Sequence, residues 1–177
     1  MKSVIWSLVA CMFLGIGCGN DRKMEERAKR IAEIDSLSKI MFDKQNTKLD
    51  IDIAKKEIAA YREFVNKLPD DTLSPKYLYL LSDLARGIQD YNNSIQCLSE
   101  ICEKYPKFKK VPECIFLHGF YLQEYIHDTL SAKVFYTKLI EQYPNHPFAK
   151  DAKVLISQFG KSDEELVKEF QQKSKTQ

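Results

Sequence analysis

The sequence predicts an all-α fold, a solenoid of antiparallel helix pairs with about eight helices, on three observations. All six prolines fall into pairs, Pro69/Pro75, Pro106/Pro112 and Pro144/Pro147, the first member closing one helical stretch and the second opening the next. The closing segments read Phe64-Val-Asn-Lys-Leu-Pro69, Ile101-Cys-Glu-Lys-Tyr-Pro106 and Leu139-Ile-Glu-Gln-Tyr-Pro144, spaced 37 and 38 residues apart. That period suits a two-helix repeat unit. Before each closing proline, apolar residues recur three and four positions apart, the spacing of one helix face. A chain of 177 residues suits one domain, and a repeat array of this kind buries its apolar surface between successive units, so an elongated shape is expected.

Taken in order, the chain begins Met1-Lys2-Ser3 and continues in an apolar run from Val4 to Gly17. A positive start, a short apolar middle and a small-residue end are the marks of an export signal over residues 1–17. The run has 14 residues, too few to span a bilayer as a helix. It ends in Leu14-Gly-Ile-Gly-Cys18-Gly-Asn-Asp21, which resembles bacterial lipoprotein precursors. That resemblance implies acylation of Cys18 as the new N-terminus. Leu8-Val-Ala-Cys11 also fits the short pattern, and better at its Leu; cleavage there would leave Met12-Phe-Leu14 on the mature end, whereas a polar stretch suited to a tether follows Cys18 directly. Residues 18–22 are thus read as lipidated Cys and tether, 23–172 as the repeat domain and 173–177 as a flexible tail, with 20–26 and most of 168–177 polar enough to be unstructured.

A weak stripe through Met24, Ala28, Ile31, Ile34 and Met41 suggests a helix from about Lys23 to Asp43. Ile51, Ala54, Ile58, Tyr61, Val65 and Leu68 form the second, stopped by Pro69. Pro75 to about Gln89 carries Leu78, Leu81, Ala85 and Ile88 inward, and Pro112 to about His127 carries Ile115, Gly119, Leu122 and Ile126. Proline suits the first helical position, where no amide is needed. Their partners bear the stripes Tyr91, Ile95, Leu98, Cys102, Tyr105 and Ala132, Tyr136, Leu139, Tyr143, and Asp90 and Asp128 stand where N-caps belong. Phe148 to Phe159 forms the seventh helix, Gly160 ends it, and Ser162 with Glu165 makes a capping box for the eighth, whose apolar face is Leu166, Val167 and Phe170.

From Ile51 to about Phe170 the chain resembles the tetratricopeptide repeat. Leu78, Leu81, Ala85, Asp90-Tyr91, Ser94, Leu98, Ile101 and Pro106 take its hydrophobic and small positions without a gap. Ile115, Gly119, Leu122, Ala132, Tyr136, Leu139 and Pro144 do so with one extra residue at the interhelical turn. Ser82 and Ser94 replace the family's Gly and Ala. The resemblance implies a right-handed superhelix. Together with the lipoprotein signal, it implies a small bacterial envelope lipoprotein, lipid-anchored, at the outer membrane facing the periplasm. Similar repeats occur in the lipoprotein of the outer-membrane β-barrel assembly machinery and in the periplasmic coordinator of the Tol-Pal system, so a part in outer-membrane protein assembly is an alternative reading.

Lys+Arg 27 against Asp+Glu 25 gives a net charge of +2, well mixed along the chain, so no footprint for nucleic acid is expected. Gly160-Lys161-Ser162 resembles the end of a phosphate loop, but Leu155 stands where its first glycine is required, and no nucleotide is expected. Cys97, Cys102 and Cys114 read as small buried side chains; a Cys102–Cys114 disulfide stays open, as does a metal group of both with His118, which lacks a fourth ligand. No nucleophile with a paired base is visible, so neither an enzyme nor a cofactor is expected. In the repeat alignment the first helices would line a concave groove with Lys76, Tyr79, Asp83 and Arg86 in one unit and Glu113, Phe116, Phe120 and Gln123 in the next. The Lys and Asn clamp by which some such repeats hold a C-terminal carboxylate is absent there. What remains suits an extended segment or helix of another envelope protein, unless Phe116 and Phe120 pack on the neighbouring helix pair.

Overall fold

A computed structural model describes residues 17–41, 49–162 and 165, and over these the protein is all-α. Seven α-helices follow one another: α1 (Gly17–Met41), α2 (Ile51–Lys67), α3 (Ser74–Gly87), α4 (Tyr91–Lys104), α5 (Val111–Tyr121), α6 (Thr129–Gln142) and α7 (Pro147–Gln158). The capping box of the expected eighth helix is formed. Ser162 N–H donates to Glu165 Oε2 at 2.9 Å, and Glu165 N–H to Ser162 Oγ at 3.3 Å. The apolar face expected at Leu166, Val167 and Phe170 lies outside the described residues, as do 1–16, which hold most of the expected export signal and Cys11.

The chain divides into two compact units, one ending at Ile88 and the other beginning at Gln89. In the first, α2 packs on both α1 and α3. Its buried face is Ala54, Glu57, Ala60, Tyr61, Phe64 and Val65, and Tyr77 of α3 meets both Phe64, edge to face at 4.7 Å, and Tyr61, stacked at 5.2 Å. Asp50 caps α2 by accepting the N–H groups of Asp52 and Ile53.

Helix α1 departs from expectation at its start and in its apolar stripe. It begins at Gly17 and not near Lys23, so residues 20–26 are helical. Its apolar stripe holds only towards the C-terminus: Ile34 and Met41 are buried, while Met24 is 60% exposed and Ala28 lies in solvent. Ion pairs fasten the part where the stripe fails. Arg27 Nε reaches Asp71 Oδ2 at 2.6 Å with a second contact at 3.4 Å, and Arg30 bridges Glu26 at 2.6 Å and Glu63 at 2.9 Å. Burial alone would raise the pKa of Asp71, but the Arg27 guanidinium and the Leu73 N–H hold it below the usual carboxylate range. A stripe broken by charges signals this arrangement poorly, because the partners of Arg27 and Arg30 lie far along the sequence.

In the second unit α5 packs on α4, α6 and α7. Leu98, Ile101, Cys97, Cys114, Ile115, Tyr136 and Leu139 form its buried core. Asp90 and Asp128 are N-caps, accepting the N–H groups of Asn93 at 3.3 Å and Ser131 at 2.9 Å.

The repeat is written most plainly in the turns. Leu68, Tyr105 and Tyr143 close α2, α4 and α6 with nearly one geometry, φ −133, −126 and −135° and ψ 56, 55 and 55°. Each donates its N–H to the carbonyl four residues back, of Phe64, Ile101 and Leu139, at 2.9 Å. Three residues on, Asp71, Phe108 and His146 donate back to Leu68, Tyr105 and Tyr143, and Ser74, Val111 and Ala149 in turn donate to Asp71, Phe108 and His146, all at 2.9 to 3.0 Å. The same hydrogen-bond ladder therefore recurs at the spacing of the prolines.

The extra residue of the second repeat also has a place. Where α3 ends as a regular helix, α5 widens into a π-helical turn over Leu122–Ile126. Gln89 and His127, each just before a capping aspartate, are the only non-glycine residues with positive φ among those described, at 65° and 61°. Both helix pairs thus turn through a left-handed residue, and the π turn absorbs the insertion before it does so. Gly119 faces the crossing of α5 and α6: a β-carbon there would stand 2.9 Å from the Tyr136 ring and 3.2 Å from the Ala132 carbonyl. Only a missing side chain permits that approach.

Candidate functional site

The eight groove positions fall in both units, four on each, and are described unit by unit. On α3, Lys76 and Asp83 are exposed, Tyr79 and Arg86 half-buried. Arg86 and Asp83 pair with one another at 2.8 Å, one helical turn apart. Their charges are therefore largely satisfied on the helix itself.

On α5 the aromatic positions do come together, and with a residue the sequence did not assign to the groove. Phe116 stacks on Phe148 at the start of α7, centroids 4.6 Å apart and rings 9° from parallel, and lies 6.2 Å from Phe120 with rings 12° from parallel. His146, the cap of α7, tilts against Phe148 at 5.4 Å, its ring 40° from parallel. The result is a row of half-buried rings, Phe120, Phe116, Phe148 and His146. Phe116 also touches the buried Tyr136 at 5.7 Å. It is therefore both part of the packing against the next helices and part of the surface row, while Phe120 lies at its outer end. Gln123 is engaged, its Oε1 accepting the Tyr136 hydroxyl at 3.1 Å, and Glu113 pairs with Lys110 at 2.9 Å.

The cysteine and histidine cluster is built for packing. Cys97 and Cys114 are buried, Cys102 is half-buried, and all three are free thiols. Burial pushes the thiols of Cys102 and Cys114 up, away from the thiolate form that attacks or ligates. His118 stacks on Phe135 at 3.7 Å; burial and the nearby Lys138 push its pKa down to about 4. Among the described residues no group of three His, Cys, Asp or Glu side chains is placed to hold a metal ion.

A second feature of the first unit was missed in the sequence. Glu57 is 1% exposed. Its Oε1 accepts the Tyr61 hydroxyl at 2.5 Å and the Ser38 hydroxyl, while its Oε2 is buried without a partner among the described residues. It lines a cleft of about 230 Å³. The available signal was a glutamate lying three residues after Ala54 and four before Tyr61, on the buried face of an otherwise apolar stripe. A period of 3.6 leaves position 57 or 58 as the inward one, and the apolar Ile58 took the reading.

Cys18 lies in the first turn of α1. No described helix is long and apolar enough to cross a membrane. No protein-family model matches the chain, and no curated protein matches it.

Proposed function

We propose that the protein is a non-enzymatic interaction module, held by a lipid on Cys18 in a bacterial cell envelope, which recruits or scaffolds another envelope protein. The observation that carries this reading is the ring row on the second unit. Phe120, Phe116, Phe148 and His146 stay half-exposed although the helices beneath them are already closed by Tyr136, Leu139 and Ala149. Partly exposed, mutually stacked aromatics offer large rigid contact area at low entropic cost, the character of interface anchors. Support for the repeat comes from the threefold recurrence of one turn geometry. A segment of the partner, extended or helical, would lie along α5.

The test pairs Phe120→Ala with Tyr79→Ala. Truncating an aromatic interface anchor costs about 2 kcal/mol or more of binding, roughly a thirtyfold loss. Capture of the main partner from detergent-solubilised envelopes should fail for Phe120→Ala while helicity and melting temperature hold. A folded Phe120→Ala variant that captures the same partner undiminished overturns the ring row as the contact surface. Tyr79→Ala asks whether α3 contributes too: loss of capture extends the surface to the first unit, and full capture confines it to α5 and α7.

A further inference from the structure

Helix α1 is fastened to the first unit by charge more than by apolar contact. It packs on α2, yet of its described side chains only Ile34 and Met41 are buried, and every residue from Asp21 to Glu25 is exposed. Two arginines hold the part that lacks apolar cover. Arg27 reaches Asp71, in the turn after α2, at 2.6 Å, and Arg30 reaches Glu63 on α2 at 2.9 Å while also bonding Glu26 one turn before it. The bond from Arg30 holds the Glu63 carboxyl below its usual range, so the pair is ionic at neutral pH.

The seam between α2 and α3 is built differently. Phe64 of α2 and Leu78 and Leu81 of α3 are fully buried, and Tyr77 packs on Phe64 at 4.7 Å and on Tyr61 at 5.2 Å. Where α1 meets α2 the contact is again partly polar. Ser38 donates to Glu57, and the buried Arg30 Nε and Glu57 Oε2 have no hydrogen-bond partner among the described residues. Buried polar atoms in that state cost free energy, which hydration on opening relieves. A helix with few buried apolar contacts and a charged seam opens at a lower free energy than the core it rests on.

We propose that α1 is an ion-latched strap: it undocks from α2 while α2 and α3 stay packed, and the Arg27–Asp71 and Arg30–Glu63 pairs set how often it does so. Both pairs are partly exposed, which makes salt the lever. The Debye length falls from about 30 Å at 0.01 M salt to about 3 Å at 1 M, so these pairs weaken over a range in which the apolar seam of α2 and α3 holds. Cys18 lies in the first turn of α1, so undocking frees a stretch of 25 residues between that cysteine and the rest of the unit, about 37 Å when helical. Only this last consequence, a tether that lengthens, rests on the lipid proposed at Cys18; the latch does not.

The test is residue-resolved amide hydrogen exchange on the purified full chain without lipid, at about 0.01 M and about 1 M NaCl. Amides of α1 should exchange through an opening that leaves those around Phe64 and Leu81 protected. Their rates should rise with salt at least fivefold more than those of α2 and α3, which also serve as the control for salt effects on the exchange chemistry. Arg27→Gln combined with Arg30→Gln should bring α1 to its high-salt rate already at low salt and remove the response. Ile34→Ala, which trims the apolar part of the same contact, should speed exchange and keep the response. Exchange of α1 only together with α2 and α3, a smaller salt response, a response that survives in the folded double variant, or its loss in Ile34→Ala each overturns the latch. Should the double variant fail to fold, Glu63→Gln decides: α1 amides no faster at low salt than in the parent chain overturn it. These readouts need no anchor, so failure of the latch leaves the reading of Cys18 standing, and failure of Cys18 as the anchor leaves the latch standing.

Discussion

A β-carbon on Gly119 would press into a ring that cannot retreat: Tyr136 is fully buried and its hydroxyl is tied to Gln123. Alanine normally favours a helix over glycine by about 1 kcal/mol, but overpacking of this kind costs about 1 to 3 kcal/mol. Gly119→Ala should therefore destabilise the protein in urea melts. Tyr136→Leu, which installs the residue found at Leu98 one period earlier, should cost stability by itself and yet lessen the penalty of the alanine. Coupling between the two of about 1 kcal/mol is expected in the double mutant; strict additivity would mean that the contact is not the cause. His118 makes a pH prediction. Its ordinary pKa is near 6.5, and burial lowers it to about 4 in the folded protein. The unfolded chain thus binds the extra proton between those values, so stability falls as pH drops from about 6.5 towards 4, by about 3 kcal/mol in all. His118→Leu should flatten that part of the urea midpoint against pH, leaving the acid loss from Asp71, whose lowered pKa acts in the same direction at lower pH. At this scale the sequence was partly legible. Phe116 and Phe120 could be placed on a helix from spacing, but their companion Phe148 lies beyond a whole helix, and the isolation of Glu57 Oε2 depends on what three helices leave out.

The helices themselves were legible because their punctuation is local. Proline, aspartate and glycine act within a few residues of the ends they mark, so six of the seven helices start within two residues of expectation. The exception is α1, whose first turn holds no acidic residue and whose ion-pair partners, Asp71 and Glu63, are distant in sequence. The extra residue at the second turn was countable, but its conformation was not, since a π turn and a longer loop use the same number of residues. Both interhelical turns pass through a left-handed residue that is not glycine, which costs roughly 1 kcal/mol each. His127→Gly and Gln89→Gly should accordingly raise the melting midpoint, each contributing about 1 kcal/mol, and His127→Val should lower it. A neutral or destabilising His127→Gly would show that the imidazole makes contacts which outweigh the strain.

For the whole chain, the proposed anchor is tested by position. An acyl chain contributes about 0.8 kcal/mol per buried methylene, so Cys18→Ser should move the protein from the membrane to the soluble fraction while Cys11→Ser leaves it in place. Release by Cys11→Ser alone would relocate the cleavage site. Whole-chain properties were the least legible: the turns announce a repeat, but where contacts thin out between Ile88 and Gln89 depends on packing that no local signal carries. Within each unit, helices pack mostly on those adjacent in the chain, α1 on α2, α2 on α3, and onward from α4 to α7. Little loop entropy must then be spent before contacts form, and low contact order goes with folding in microseconds to milliseconds. A nascent unit of this kind can fold as soon as its last helix emerges, which shortens the time in which Leu78 or Tyr136 would be open to aggregation.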